Sequence, residues 1–282
     1  MIPLVIGKDL RDGWIKTNDE LFFNGAETID FSRPGVSAHS FHNYIRFDKC
    51  INSPEMWEMG FKKTKWGMLT RLYFDAEEFG LFINRLKFYR SERRGKKYVP
   101  DIGLQFKTRF NRSGACLMGL TVRFSLKTGW EVQVFSRASE MTSRWAVDLM
   151  FLYTMIKEVG KHLEFEPSEI TLHWVGAGMY QSILTVPLYL VLAKKEKFLR
   201  KTAVEDLTPW QRSVYDRWAS AFATDSPRYQ NYKSQKRSTI AYQWLKKGVP
   251  PEGPGIIMVE DLKLPPYKLD IEEDFFTRKG FR

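Results

Sequence analysis

The sequence predicts an α/β protein, because patterns typical of strands and of helices alternate along its 282 residues. Three apolar or alternating segments, IGLQFKTRF, ACLMGLTVRF and WEVQVFSR, predict strands separated by the turn sequences NRSG and SLKTG. Next comes a predicted helix of roughly Arg144 to Lys161, which is apolar nearly all the way round, as in a buried central helix. The segment EITLHWVGAGMYQS then predicts a strand that runs into a glycine-containing turn.

The N-terminal third offers weaker patterns. DLRDGWIKT predicts a short element, and SRPGVSAHSFHNYIRF predicts a Pro-Gly turn that leads into a strand. DAEEFGLFINRLKFYRSE has helical spacing, because its acids fall in the first turn and its apolar residues share one face. These apolar residues are Phe79, Phe82, Ile83 and Leu86.

The C-terminal third predicts helices and a linker. VPLYLVLA is typical of a strand or a short buried helix. LTPWQRSVYDRWASAF predicts a helix with Thr208 as N-cap and Pro209 in its first turn. VPPEGPG, residues 249–255, predicts a stiff linker before a tail at 256–282.

Composition limits the class of protein. A hydrophobic content of 43% is enough to form a packed core. We expect neither a signal segment nor an apolar run long enough to span a bilayer. The sequence therefore predicts a cytoplasmic protein without a membrane partner. Cys50, Cys116 and four scattered histidines lack the spacing of metal ligands, so no metal is expected. The net charge of +11 indicates an anionic partner, which can be nucleic acid or a phosphate-bearing small molecule, or only a solvated basic surface.

One acidic residue, Asp148, interrupts the apolar helix. Burial of an unpaired carboxylate costs several kcal/mol or raises its pKa, so Asp148 needs a polar cavity or a dedicated partner. The alternative is an exposed strip near the helix start, where an acid also suits the helix dipole. We favour a functional role.

The order of residues around Asp148 resembles that of thymidylate synthase and of the related deoxynucleotide hydroxymethylases. In that family a nucleophilic Cys begins one strand, a Gln-x-x-x-Arg-Ser-x-Asp stretch ends another, and eight residues after its Asp stands an Asn that reads the pyrimidine. Here Cys116 begins CLMGLTVRF, and Arg137 follows in QVFSRASE. Glu140 stands at the position of the family's Asp, and Asp148 stands at the position of its Asn.

Upstream residues extend the resemblance. Arg93 and Arg94, in SERRGKKYVPDIGLQF, match the paired arginines that reach the partner's phosphate site across a dimer, and Arg33 matches an Arg-x-Gly loop. The resemblance covers about residues 30–190. It implies a single thymidylate synthase-like domain over residues 1–282, with a large mixed or antiparallel sheet packed with helices and a dimer through the sheet. An insertion at about 195–247 is atypical of the family.

The resemblance also implies roles for the matched residues. Cys116 would add to C6 of the pyrimidine, and Arg137 would favour the Cys116 thiolate. Arg137 would also bind the phosphate together with Arg33, Arg93 and Arg94. Ser139 and Tyr180 would contact the substrate. The family's catalytic Glu is best matched by Glu78, with Glu77 and Glu58 as rivals. Without the resemblance, Cys116 would be interpreted as a small buried hydrophobe and Glu78 as an acid of a helix N-terminus.

The function implied is one-carbon transfer from 5,10-methylenetetrahydrofolate to C5 of a pyrimidine nucleotide monophosphate. Because a carboxylate only accepts hydrogen bonds, Asp148 suits the 4-amino group of cytosine and favours hydroxymethylation of dCMP. Methylation or hydroxymethylation of dUMP is the alternative enzymatic interpretation. Two other functional interpretations remain open. The protein is a family member that lacks activity and binds nucleic acid, for example in a phage-type replication complex. Alternatively, it is an enzyme that modifies a base within a polynucleotide.

Overall fold

A computed structural model describes residues 4–24, 26–27, 36–51, 61–90, 98–106, 116–183, 201–222 and 255–269, together with a few positions between 186 and 198. The described helices are α1 (Leu10–Asn24), α2 (Lys63–Tyr73), α3 (Ala76–Phe88), α4 (Arg144–Leu163) and α5 (Pro209–Phe222). The described strands are β1 (Leu4–Gly7), β2 (Ala26–Glu27), β3 (Val36–Phe47), β4 (Phe61–Lys62), β5 (Tyr98–Gln105), β6 (Leu117–Ser125), β7 (Gly129–Glu140), β8 (Ile170–Ser182) and β9 (Ile256–Ile257). The α/β class with a large mixed sheet is therefore confirmed.

The main sheet has seven strands in the order β1-β3-β8-β7-β6-β5, with β2 paired to β3. The pairs β1/β3 and β7/β8 are parallel, and the others are antiparallel. Helix α4 connects the two parallel neighbours β7 and β8, as a crossover between parallel strands requires. In the described part of the chain, a second sheet pairs β4 with β9.

One face of the main sheet carries the core. Along β7 the side chains of Trp130, Val132 and Val134 are buried, whereas the alternating Gln133 and Phe135 are half-buried or exposed. The described helices pack on the buried face, and α4 contributes most of its side chains to the same hydrophobic cluster. The opposite face of β7 and β8 is not covered by any described helix.

Two local predictions are wrong. DLRDGWIKT does not form a short element but begins the 15-residue helix α1, because Leu10, Trp14 and Leu21 share a buried face that continues beyond the polar Thr17 and Asn18. The glycines of EITLHWVGAGMYQS do not form a turn. β8 continues through Gly176, which pairs with β3 on one side and with β7 on the other.

Gly176 has a packing role in β8. A Cβ at this position would lie 3.0 Å from the Cε of Met179 and 3.3 Å from the Oγ of Ser136. The lack of a side chain therefore permits close packing inside the strand.

The predicted helices DAEEFGLFINRLKFYRSE and LTPWQRSVYDRWASAF and the turn SLKTG agree with the structure, whereas the Pro-Gly turn at 34–35, the turn NRSG and residues 249–254 of the predicted linker lie outside the described residues. Asp75 accepts hydrogen bonds from the amides of Glu77 and Glu78 and so caps α3. Thr208 and Gln211 exchange hydrogen bonds at the start of α5. Within VPLYLVLA the described positions 186, 189 and 190 are helical, which favours the helical alternative. Residues 223–247 of the predicted insertion and residues 270–282 of the tail lie outside the described residues.

Buried polar side chains fix the start of α4. Asn18 of α1 donates to the carbonyl oxygens of Trp14 and Met141 at 2.9 and 3.2 Å, and its Oδ1 accepts from Thr142 Oγ1 at 3.2 Å. Gln181 of β8 donates to the Asn18 carbonyl at 2.8 Å. This network joins α1, β8 and the turn between β7 and α4.

Glu140 caps α4. Its carboxylate accepts the amide hydrogens of Thr142, Ser143 and Arg144 at 2.9–3.0 Å and the Ser143 hydroxyl at 2.8 Å. The N-cap residue Ser143 makes no side-chain cap of its own. A carboxylate therefore occupies the positive end of the helix, which consequently cannot bind the phosphate of a substrate.

Replacement of Glu140 by alanine should lower the free energy of unfolding by about 2–4 kcal/mol, because one buried amide and two part-buried amides lose their acceptor. Glu140→Gln keeps one acceptor oxygen, so its free energy of unfolding should decrease by less. Chemical denaturation of both variants measures the difference. Ser143→Ala, which removes a single hydrogen bond, is the matched control. An alanine variant within about 0.5 kcal/mol of the parent would exclude this capping role.

Candidate active site

Cys116 lies immediately before β6, where three elements meet. Its backbone amide donates to the Tyr73 hydroxyl of α2 at 2.7 Å, and its carbonyl oxygen accepts from the Arg137 amide of β7 at 2.8 Å. The amide of Leu117 also donates to the Tyr73 hydroxyl, at 3.3 Å. The backbone of Cys116 is therefore held from both sides.

The Cys116 thiol is half-buried, and its surroundings contain charges of both signs. Burial raises its pKa to about 11, and the negative charge of Asp148 contributes to the increase. The guanidinium groups of Arg144 and Arg137 and the hydroxyl of Ser139 act in the opposite direction. The thiol is thus protonated at neutral pH, mainly because it is buried, and the two nearby guanidinium groups favour its thiolate form.

Asp148 is buried, with 4% of its surface exposed. Burial raises its pKa to about 7, and the charge of Glu140 raises it further, whereas Lys65 and Arg144 lower it. The carboxyl group of Asp148 makes no side-chain hydrogen bond to another described residue. The carboxyl group therefore gains or loses a proton near neutral pH, beside the thiol.

Ser139 and Tyr180 occupy neighbouring strands near this cluster. Ser139 is fully buried, and its hydroxyl favours the Cys116 thiolate without reaching the geometry of a full hydrogen bond. Tyr180 lies opposite Glu140 in the β7/β8 register, and its carbonyl oxygen accepts from the Met141 amide at 2.9 Å. Its side chain is half-buried.

The other predicted site residues lie elsewhere. Arg33, Arg93, Arg94 and Glu58 lie outside the described residues. Glu78 and its rival Glu77 are exposed in the first turn of α3, where their amides bond to Asp75. No contact in the described parts of the chain joins Glu78 to Cys116 or Asp148. The structure thus brings together Cys116, Arg137, Ser139 and Asp148, but not Glu78.

Three residues of the cluster were missed from the sequence. Lys65 and Tyr73 lie on α2, which the sequence did not predict, and Arg144 was regarded only as the start of a helix. Tyr73 and Cys116 are 43 positions apart in the sequence, so no local sequence pattern indicates their contact. Arg144 could have been found, because the first turn of α4 lies beside the end of β7 in any strand–turn–helix unit.

Neither a metal site nor a membrane span is found in the described residues. Within the ranges given above, no three His, Cys, Asp or Glu side chains are grouped so that they could hold a metal ion. None of the described helices is long and apolar enough to cross a bilayer.

Comparisons with known proteins give a distant structural likeness. No protein-family model matches the sequence, and no curated protein matches it. The thymidylate synthase of T4 phage is similar with a TM-score of 0.45 and 12% identity, covering 90% of this chain and 95% of that one. Thermostable thymidylate synthase A of Bacillus subtilis has a TM-score of 0.43 and 10% identity, covering 65% of this chain and 83% of that one. These scores and identities are too low to assign the chain to a family.

Proposed function

We propose that this protein transfers a one-carbon unit to C5 of a pyrimidine nucleotide monophosphate, and that its substrate is a cytosine nucleotide such as dCMP, which it hydroxymethylates. The observation that carries the proposal is the proximity of a half-buried thiol, Cys116, to a buried carboxyl group, Asp148, with Arg137 and Arg144 beside them. Residues far apart in the sequence form this cluster. It provides a nucleophile, a hydrogen-bonding group for a base, and cations.

Cys116 is the proposed nucleophile. C5 of a pyrimidine becomes nucleophilic only after a thiolate has added to C6, so the reaction begins with formation of the Cys116 Sγ–C6 bond. In the free protein the ionised Asp148 opposes loss of the thiol proton. If Asp148 becomes neutral when a base binds, this opposition disappears, and Arg144 and Arg137 favour the thiolate.

Asp148 is the proposed base reader. Because its pKa is about 7, it can bind a base in its protonated form at neutral pH. A neutral carboxyl group donates a hydrogen bond to N3 of cytosine and accepts one from the 4-amino group, and its proton stays on the carboxyl oxygen. The hydrogen bond to N3 withdraws electrons from the ring and makes C6 more electrophilic. Substrate binding and thiol activation would thus be coupled through one proton.

The arginines are the proposed phosphate ligands. Arg137 is exposed beside Cys116, where its guanidinium can bind a phosphate dianion, and Arg33, Arg93 and Arg94 complete the proposed clamp. We further propose a homodimer in which these arginines are shared across the interface, formed by the sheet face that no described helix covers. Ser139 and Tyr180 are proposed substrate contacts. Glu78, as the acid that activates water, stays a prediction without a supporting contact.

Methylenetetrahydrofolate is the proposed one-carbon donor. When bound it would supply a methylene group as the electrophile for C5. The ring of Tyr73, whose hydroxyl contacts the Cys116 amide, packs against those of Phe106 and Phe151, and all three rings are buried, so they offer no open face to a pterin ring. No step proposed for the residues of this chain depends on how the folate binds.

Release of tritium from C5 tests the proposal. The purified protein is incubated with C5-tritiated dCMP or dUMP and methylenetetrahydrofolate, and tritium in water is counted. Release from dCMP supports the cytosine-specific proposal, and release from dUMP alone would identify the uracil alternative. No release from either nucleotide would contradict the enzymatic proposal.

A nucleic-acid-binding protein without activity is the second candidate. The net charge of +11 and the basic segments around residues 87–97, 194–201 and 228–237 favour it. It predicts tight binding to DNA that weakens steeply with salt and no turnover of a free nucleotide. A titration of labelled DNA at two salt concentrations separates the two candidates when it is combined with the tritium assay.

A further inference from the structure

We infer that Tyr73 is a positioning residue for the Cys116 nucleophile: its hydroxyl holds the first two amides of β6 and so presents the thiol beside Asp148. The inference deepens the proposed function, since it concerns the same nucleophile. It depends on the hydrogen bonds from Cys116 and Leu117, at 2.7 and 3.3 Å. At the start of β6, the hydroxyl oxygen of Tyr73 from helix α2 thus accepts the hydrogen bonds that a neighbouring strand would otherwise accept.

The hydroxyl of Tyr73 is suited to this task. Its oxygen already accepts two amide hydrogens, so its own proton is left to donate to a third group. Burial raises the pKa of Tyr73, and the charges of Asp148 and Cys116 raise it further, so the phenol keeps this proton throughout the neutral range. The phenolic proton of Tyr73 is therefore held close to both Cys116 and Asp148.

Tyr73 is itself held firmly. It is buried, and its ring centroid lies 5.9 Å from those of Phe106 and Phe151. The start of α2 is tied to the C-terminal segment, because the Lys63 amide donates to the Gly255 carbonyl at 2.8 Å. Trp66 Nε1 likewise donates to the Lys263 carbonyl at 3.1 Å. Rigid support of this kind is what precise placement of a nucleophile requires.

The experiment compares Tyr73→Phe with the parent protein, since phenylalanine keeps the packing and removes only the hydroxyl. Amide hydrogen exchange at Cys116 and Leu117 should become at least about tenfold faster, while exchange at Val122 in the middle of β6 stays unchanged. Alkylation of Cys116 by iodoacetamide should accelerate about fivefold or more, because the freed end of the strand exposes the thiol. Tyr153→Phe, on α4, is the matched control.

Cys50 reports on global unfolding in the same sample. It is fully buried, so its alkylation should not change in Tyr73→Phe. Unchanged amide hydrogen exchange at Cys116 and Leu117 would overturn the inference. An equal increase in the alkylation rates of Cys116 and Cys50 would also overturn it. These measurements need no substrate, so they remain decisive even if the proposed function is wrong. In an active enzyme, kcat should fall about tenfold or more while KM stays within about twofold.

Discussion

Replacement of Cys116 by serine should reduce tritium release from C5-labelled dCMP by at least about a thousandfold. A serine hydroxyl has nearly the same size as the thiol, but the cations that can stabilise a thiolate cannot produce an alkoxide at neutral pH. The fold should survive, because the backbone contacts of Cys116 with Tyr73 and Arg137 do not involve its side chain. Counting tritium in water under saturating nucleotide measures the effect.

Cys50 provides the control for this experiment. Burial raises its pKa to about 12, and it lies in the core, where it is fully buried. Cys50→Ala should leave the rate of release unchanged and lower only the stability. A Cys116→Ser variant that retains release within about tenfold of the parent would exclude covalent catalysis by this residue.

Replacement of Asp148 by asparagine should stabilise the protein increasingly as the pH rises. In the unfolded chain the carboxyl group ionises near 3.8, whereas in the folded protein its pKa is about 7. Between these values the folded state binds the additional proton, so an increase in pH destabilises the parent. Asparagine does not titrate. The difference in unfolding free energy between the variant and the parent should therefore grow by about 3–4 kcal/mol from pH 4 to pH 8 in favour of the variant.

Denaturant unfolding at several pH values measures this difference. Asp12→Asn is the contrasting control: burial raises the pKa of Asp12, but Lys16 and Lys8 outweigh this effect and lower it. That variant should lose stability relative to the parent as the pH rises through the acid range, which is the opposite direction. A pH-independent difference for Asp148→Asn would contradict a raised pKa at Asp148. A carboxyl group that lowers stability at neutral pH is expected to be kept for its function.

The same substitution tests base reading. An amide can pair with either base, because it can donate to N3 of cytosine or accept from N3–H and donate to O4 of uracil, but it has no acidic proton with which to polarise N3 of cytosine. Asp148→Asn should therefore lose release from dCMP and gain relative preference for dUMP, by about tenfold or more in kcat/KM. Competition between the two labelled nucleotides in one assay measures the ratio. Unchanged discrimination would remove Asp148 from base recognition.

Sequence patterns predicted the fold where local periodicity is strong. The strands β5–β8 and the helices α3, α4 and α5 follow from alternation, apolar faces and caps such as Asp75 and Thr208. Helix α1 was underestimated because its polar residues Thr17 and Asn18 look like an end, although Asn18 satisfies a buried network. Gly176 looked like a turn because a sequence does not show which strands will pack against it.

The candidate site was predictable only in part. The resemblance to thymidylate synthase, which the order of Cys116, Arg137 and Asp148 carries, identified residues that lie together in the structure. Lys65 and Tyr73 could not be predicted, because α2 reaches Cys116 through contacts that span many residues. Glu140 matched a family position in the sequence, whereas in the structure its carboxylate is used to cap α4.

The proposed function depends on addition of the Cys116 thiol to C6 of a cytosine nucleotide. A 5-fluoro analogue of dCMP tests it most directly, because fluorine at C5 cannot leave as a cation and the adduct accumulates. We would incubate the protein with this analogue and methylenetetrahydrofolate, digest it, and search for the added mass by peptide mass spectrometry. We expect a covalent adduct on the peptide that contains Cys116. No adduct, or an adduct on another residue, would contradict it.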